Sequence, residues 1–216
     1  MRFRDRETAG RTVAALLAER LGHVDLSLLA IPNGGIPVGL AIRETLASCC
    51  SFGLLFVRKL QIPYNPEAGF GAVTLDGKLH LNQVLLTRLK LSEADIETSK
   101  QLALQSLRSR AAKYGVTQTD KAAISNRTVV IVDDGLASGF TMLAAVHSIE
   151  EEASRIVVAV PTASHHAVQL IESQTNGEVL CPDIRSGPFF AVADAYDYWC
   201  DIPDEEAIAA IRTLEE

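Results

Sequence analysis

The sequence predicts an α/β fold built on a parallel sheet with helices on both faces. Three observations carry this expectation. Uninterrupted apolar runs, LSLLAIP at 26–32 and VVIV at 129–132, have the length of strands and lack the alternation of a half-exposed sheet, as strands buried on both faces do. Between such runs lie stretches of helical periodicity, so that strand and helix alternate along the chain. Both runs also break off into turns rich in glycine or acid, at the strand ends where open α/β sheets hold ligands.

The elements follow in order. RETAGRTVAALLAERL, about 6–21, puts Val13, Leu16, Leu17 and Leu21 on one helical face. The run at 26–32 ends in Pro32-Asn33-Gly34-Gly35, a turn. A helix over about 36–47 and a strand, GLLFVRK at 53–59, come next. LQIPYNPEAGFG has two prolines and two glycines, which predicts an irregular segment. In GAVTLDGKLHLN, Asp76-Gly77 between alternating apolar positions predicts a hairpin. A long helix over 92–114 is marked by Ser92 as N-cap and Asp95 as the acid of a capping box. Its cations Lys100, Arg108, Arg110 and Lys113 are expected to form a solvated outer face. Strand 128–132, helix 139–151, strand 155–160, helix 164–173 and strand 178–181 complete the rhythm. Segment 182–216 departs from it, being rich in aromatics and acids and ending in the helical DEEAIAAIRTL.

Composition bounds the function. A chain of 216 residues that is 48% hydrophobic and 22% charged can bury one full core, so residues 1–216 are read as a single domain. A net charge of -7 disfavours a nucleic-acid partner, which needs a basic face, and an anionic ligand would have to be held locally. No apolar run reaches the length of a membrane span. Cys49, Cys50, Cys181 and Cys200 show no CxxC spacing, and the start MRFRDRE is charged rather than apolar, so a cytoplasmic location is expected. His165-His166 and Cys49-Cys50 are neighbours on helical stretches with diverging side chains and are assigned no metal.

The most informative stretch is VVIVDDGLASGFT, residues 129–141. Asp133 and Asp134 end a buried strand and are aimed into the ligand crevice. The loop after them supplies glycines that let backbone N–H groups approach a ligand, hydroxyls at Ser138 and Thr141, and a helix N-terminus. Carboxylates beside an anion cradle suit a ligand carrying both hydroxyls and a phosphate, as a ribose 5-phosphate does. The rival reading is strand-end polarity of the receiver type, in which the acids hold Mg²⁺ and one accepts a phosphoryl group; the glycine and hydroxyl loop speaks against it.

These residues resemble the phosphoribosyl pyrophosphate (PRPP) motif of type I phosphoribosyltransferases: four apolar residues, two acids, then a small-residue loop ending in Thr. Pro32-Asn33-Gly34-Gly35 resembles that family's pyrophosphate loop, and Arg58-Lys59 its basic residues on the pyrophosphate side. From FRDRETAG through VRKLQIPYNPEAGFGAV to FFAVADAYDYWCDIPDEE, the chain is similar to a bacterial and archaeal subfamily of phosphoribosyltransferases with no firmly assigned acceptor. The resemblance implies a Rossmann-like parallel five-stranded sheet with flanking helices, a flexible lid near 60–80, and a small hood from 182–216 with the N-terminal helix.

It also implies a Mg²⁺-dependent pentosyl transfer from PRPP to a small nitrogen acceptor, with pyrophosphate released, in a homodimer. Gly34 and Gly35 would bring amides to the pyrophosphate beside Asn33, while Arg58 and Lys59 add charge. Asp133 and Asp134 would fix the ribose hydroxyls and touch the metal mostly through PRPP. Ala137, Ser138, Gly139, Phe140 and Thr141 would bind the 5-phosphate. Two positions depart from the pattern. Asn33 stands where the subfamily usually has Arg, and Ala137 stands where hypoxanthine-type relatives carry an Asp thought to act as base. Adenine-like, pyrimidine-like and non-nucleobase acceptors stay open, with Glu67 a candidate acid. Phe189, Phe190, Tyr196, Tyr198 and Trp199 either stack an acceptor ring or pack the terminal segment down. A sensing module that binds PRPP without transferring it is the alternative to an enzyme.

Overall fold

A computed structural model describes the backbone of every residue except 23, 24, 47–49, 64, 188, 189 and 214–216, and side chains apart from those of 65–68 and 84. Cys49, Glu67 and Phe189 therefore lie outside what is described.

The core is a five-stranded parallel sheet in the order β2 (Cys50–Leu54), β1 (Leu26–Ala30), β6 (Thr128–Val132), β7 (Arg155–Ala159), β9 (Glu178–Leu180). Alternate residues of each strand feed opposite faces. Leu28, Val130 and Val157 pack with α1 (Arg6–Leu21) and α2 (Gly35–Leu46), whereas Leu29, Ile131 and Val158 pack with α5 (Phe140–Ile149) and α6 (His165–Gln174). All five residues of β1 are buried, which is why the strand reads as one continuous apolar run. On α1, Val13, Leu17 and Leu21 are buried on the sheet side and Leu16 is partly buried beside them.

Between α2 and β6 the chain builds a second unit. Strands β3 (Val57–Ile62), β4 (Asn65–Thr74) and β5 (Leu79–Leu81) form an antiparallel sheet, followed by α3 (Gln83–Leu89) and α4 (Glu93–Lys113). Leu60, Phe70 and Val73 of the sheet share a core with Ala103, Leu104 and Leu107 of α4. The hairpin at Asp76-Gly77 forms as its sequence predicts, with Gly77 at φ +85°. Ser92 and Asp95 make the reciprocal capping box that starts α4.

Three expectations are corrected here, and some elements were not foreseen. The strand expected at 53–59 is two strands: β2 ends at Leu54 in the parallel sheet, and Arg58 and Lys59 lie within β3 of the antiparallel one. The segment expected to be irregular is the end of β3 and most of β4. Its glycines serve close approach of strands rather than a loop. A Cβ on Gly69 would sit 2.3 Å from Lys59 Cγ, and one on Gly71 2.4 Å from the His80 carbonyl oxygen. Register shifts around Gln61 take up the remaining irregularity. The outer face assigned to α4 holds only in part, because Ala103, Leu104, Leu107 and Ala111 are buried and its last turn reaches the turn after β1. Finally, α3 and the short parallel pair β8 (Thr162–Ser164) and β10 (Asp183–Arg185) had no sequence signal strong enough to separate them from loops.

Gly10 shows how closely α1 meets α2. A Cβ there would lie 2.5 Å from the Val38 carbonyl oxygen and 2.7 Å from the Ala41 Cβ. Gly10→Ala gains about 1 kcal/mol of helix propensity. Forcing the helices apart costs about 1–3 kcal/mol, so the variant should be net destabilised in urea unfolding.

Candidate active site

In-register pairing of Ala30 with Val132 brings the ends of β1 and β6 to the same level, so the turn after one strand meets the acids after the other. Ile31 N–H donates to the Val132 carbonyl at 2.9 Å, and the Pro32–Asn33 peptide is cis. A Cβ on Gly34 would stand 2.0 Å from Asp134 Oδ2, and one on Gly35 2.4 Å from the Val132 oxygen. Only glycine lets the turn and the carboxylate touch. Asp133, Asp134, Gly34 and Gly35, distant in sequence, are thus one site.

The acid pair has a partner that sequence reasoning missed. Arg6, only 9% exposed, donates from Nε to Asp134 Oδ2 and from Nη1 to the Cys200 carbonyl, both at 2.9 Å. Its guanidinium carbon lies 3.9 Å from the centre of the Trp199 ring. Tyr196 Oη donates to the Asp134 carbonyl at 2.6 Å, and its ring packs on Phe3 and Trp199. Backbone bonds from Phe3 to Ala195 and from Asp197 to Phe3 bind the two ends of the chain into one cap over Asp134. Tyr196 and Trp199 therefore pack, Tyr198 is exposed, and Phe190 is partly buried. The available signal was Arg6 itself: a cation in the first turn of a helix, where the dipole disfavours one, must be held by something else.

Burial pushes the Asp133 carboxyl well above the usual range, and the charge of Asp134 pushes it further. Burial also raises Asp134, but there the charge and hydrogen bond of Arg6 oppose it. The pair is therefore set up with Asp134 the more readily ionised member and Asp133 the more readily protonated one.

Beyond the acids, residues 135–141 run into α5. Leu136 bridges to Ala163, and Ser164 Oγ donates to the Ala137 carbonyl at 2.7 Å while capping α6. Gly139, at φ +77° and with a Cβ position 3.1 Å from the Ala167 Cβ, turns the chain into the helix. Among the described residues, no side chain caps α5. None of the N–H groups from Ala137 to Thr141 donates to another group among the described residues, and Ala137, Ser138 and Thr141 are exposed.

The other expected site residues are placed differently. The Asn33 side chain is a hub: Nδ2 donates to the Ile202 carbonyl at 2.7 Å and to Asp204 at 3.1 Å, while Oδ1 accepts from Arg110 at 2.8 Å and Tyr114 at 2.5 Å. Burial pushes the Tyr114 hydroxyl up to about 12, so it stays a donor. Arg58 and Lys59 border a cavity of about 360 Å³ against Thr98, Ser99 and Leu102 of α4, whose described walls include neither the acid pair nor the turn. A larger cavity of about 440 Å³ lies between β4, β5 and the outer side of α5, and shares only Phe140 with the loop.

The family described as "Phosphoribosyl transferase domain" matches residues 79–188. The chain belongs to the phosphoribosyltransferase family. TT1426 from Thermus thermophilus superposes with a TM-score of 0.84 at 34% identity, over 98% of each chain. AQ2163 from Aquifex aeolicus, at 12% identity, a TM-score of 0.51 and coverage of 84% of this chain and 75% of its own, shares the fold. Rv0571c of Mycobacterium tuberculosis (strain ATCC 25618 / H37Rv), provisionally named a phosphoribosyl transferase, is 33% identical over 96% of this chain, which spans only 46% of that relative. The five-stranded parallel sheet with flanking helices is thus the type I phosphoribosyltransferase fold. No described helix is long and apolar enough to cross a membrane.

For the Mg²⁺ that this family generally uses, the described residues offer no cluster of three or more His, Cys, Asp or Glu. Two adjacent carboxylates beside a loop of unpartnered amides do fit a Mg²⁺ held through one or two acids, water and the phosphates of a substrate.

Arg6→Ala leaves the Asp134 carboxylate buried without its partner, so stability should fall by about 3–5 kcal/mol in chemical unfolding. Adding Asp134→Asn should recover much of it. Asp133→Asn acts in the opposite direction. An acid whose folded pKa is raised holds a proton that the unfolded chain releases, so it costs stability as pH rises through about 4. The variant should melt above wild type at neutral pH, and that gain should vanish in acid.

Proposed function

We propose that the protein transfers ribose 5-phosphate from PRPP to a small nitrogen acceptor and releases pyrophosphate. The observation that carries this reading is the convergence at one strand end of an acid pair, a glycine turn touching it, and an uncapped helix N-terminus whose loop amides are free. A phosphate with a diol one sugar away matches that order of groups.

The 5-phosphate is bound by the amides of Ala137–Thr141 and the positive end of α5. The ribose hydroxyls donate to Asp133 and Asp134, which Arg6 and the cap hold in place. The pyrophosphate lies along the turn 33–35, where Gly34 N–H has no acceptor among the described residues. The C1–O bond to pyrophosphate breaks, its electron pair leaves on that oxygen, the acceptor nitrogen's lone pair forms the new bond at C1, and a proton carried by that nitrogen passes to water or to the released pyrophosphate. Positive charge develops on the ribose ring, so fixed hydroxyls and a well-held leaving group lower the barrier. Bound Mg²⁺ supplies neutralisation of the pyrophosphate charge. Ala137 cannot take a proton, which points away from a 6-oxopurine handled with a loop carboxylate. Residues near 60–80, with Arg58 and Lys59, serve as a lid that excludes water.

PRPP with Mg²⁺ at about 100 times its dissociation constant should stabilise the protein by roughly 2.7 kcal/mol. In Asp133→Asn/Asp134→Asn the shift should disappear while the free protein stays folded. Lack of a shift in wild type would refute the donor. Binding without pyrophosphate release over a broad panel of bases and amines would identify a sensing module instead.

A further inference from the structure

We propose that Arg110, on the last turn of α4, is a leaving-group cation that binds the pyrophosphate in the turn 33–35. The proposal rests on the PRPP reading above and extends it to a helix outside the parallel sheet.

Arg110 Nη2 donates to Asn33 Oδ1 at 2.8 Å, which puts the guanidinium against the turn itself. The same oxygen accepts from Tyr114, so Asn33 is satisfied without Arg110. Asp204 lies 3.8 Å from Arg110 Nε and 2.7 Å from Lys113 Nζ, and Glu205 adds a second carboxylate whose charge acts on Lys113 and Tyr114. Arg110 Nη1 has no hydrogen-bond acceptor among the described residues, and neither has the N–H of Gly34, one residue along the turn. A guanidinium nitrogen without an acceptor, on a side chain tied to Asn33, and an unpartnered amide at the next residue are donors of the kind that bind phosphate. The side chain is 35% exposed, held by Asn33 yet open to solvent.

The test uses calorimetric titration of inorganic pyrophosphate, PRPP and ribose 5-phosphate, each with Mg²⁺, into wild type, Arg110→Gln and Arg110→Lys. Losing a charged hydrogen-bond donor should weaken pyrophosphate and PRPP about ten- to hundredfold. Ribose 5-phosphate, which has no group at the turn, should bind the Gln variant unchanged, and Lys should restore part of the loss. Equal weakening of all three ligands would mean that Arg110 only ties α4 to Asn33, and no weakening would mean that it binds nothing; either overturns the proposal. Should the Gln variant fail to fold, Arg110→Lys carries the same comparison, because it keeps the charge and loses the fork. Either equal weakening or no weakening, with PRPP still bound by wild type, overturns the role of Arg110 alone, whereas wild type that does not bind PRPP overturns the PRPP reading and this proposal together.

Discussion

The contact between the Asp134 carboxylate and Gly34 is the constraint from which the rest of the site follows. It exists because β1 and β6 are neighbours in register and both chains leave the sheet at the same height. Any side chain at position 34 would fill the space the carboxylate occupies. The turn and the acid pair are therefore fixed relative to each other by the in-register pairing of β1 with β6. Placing reacting groups on such a scaffold makes their geometry reproducible without any ligand present.

That contact creates an electrostatic problem. Two adjacent carboxylates are held where burial raises both of them. Arg6 answers it for Asp134, and its own burial is made tolerable by the Cys200 carbonyl and the face of Trp199. The consequence reaches both ends of the chain. Residues 3–6 and 195–200 are bonded to each other because each contributes to covering the same ion pair. The cap over Asp134 is thus a device for holding a charge as much as a cover for the sheet.

Four strands of the parallel sheet were legible as largely buried apolar runs, whereas β2 was not, because its residues are only partly buried and the stronger apolar run at 53–59 straddles two sheets. The capping box of α4 and the hairpin at Asp76-Gly77 were legible for a similar reason: each is a local rule satisfied by residues close in sequence. What could not be read depends on distant partners. Gly69 and Gly71 look like loop residues until Lys59 and the His80 carbonyl are placed against them. Arg110 looks like any cation on a solvated helix until Asn33, 77 positions away, takes its hydrogen bond. Arg6 pairs across 128 positions, and no local pattern encodes that separation. In the site itself, Asp133, Asp134, Gly34 and Gly35 stand out in the sequence because their backbone surroundings are short and stereotyped, whereas the cations that serve them arrive from helices.

If residues near 60–80 act as the proposed lid, the antiparallel unit sets how that lid can move. A segment expected to be irregular would close by reordering a loose chain. Here residues 65–74 are one strand paired on both sides, with Phe70 and Val73 packed on α4. Moving it alone would break two ladders and expose part of that core, whereas moving the sheet and α4 together leaves both intact. The last turn of α4 is joined to the turn after β1 through Asn33, Arg110 and Tyr114, and to α7 (Asp204–Arg212) through Asp204. A rigid closing motion of this unit would pivot where the pyrophosphate is proposed to lie, and these side chains would then couple an anion at the turn to the position of the sheet.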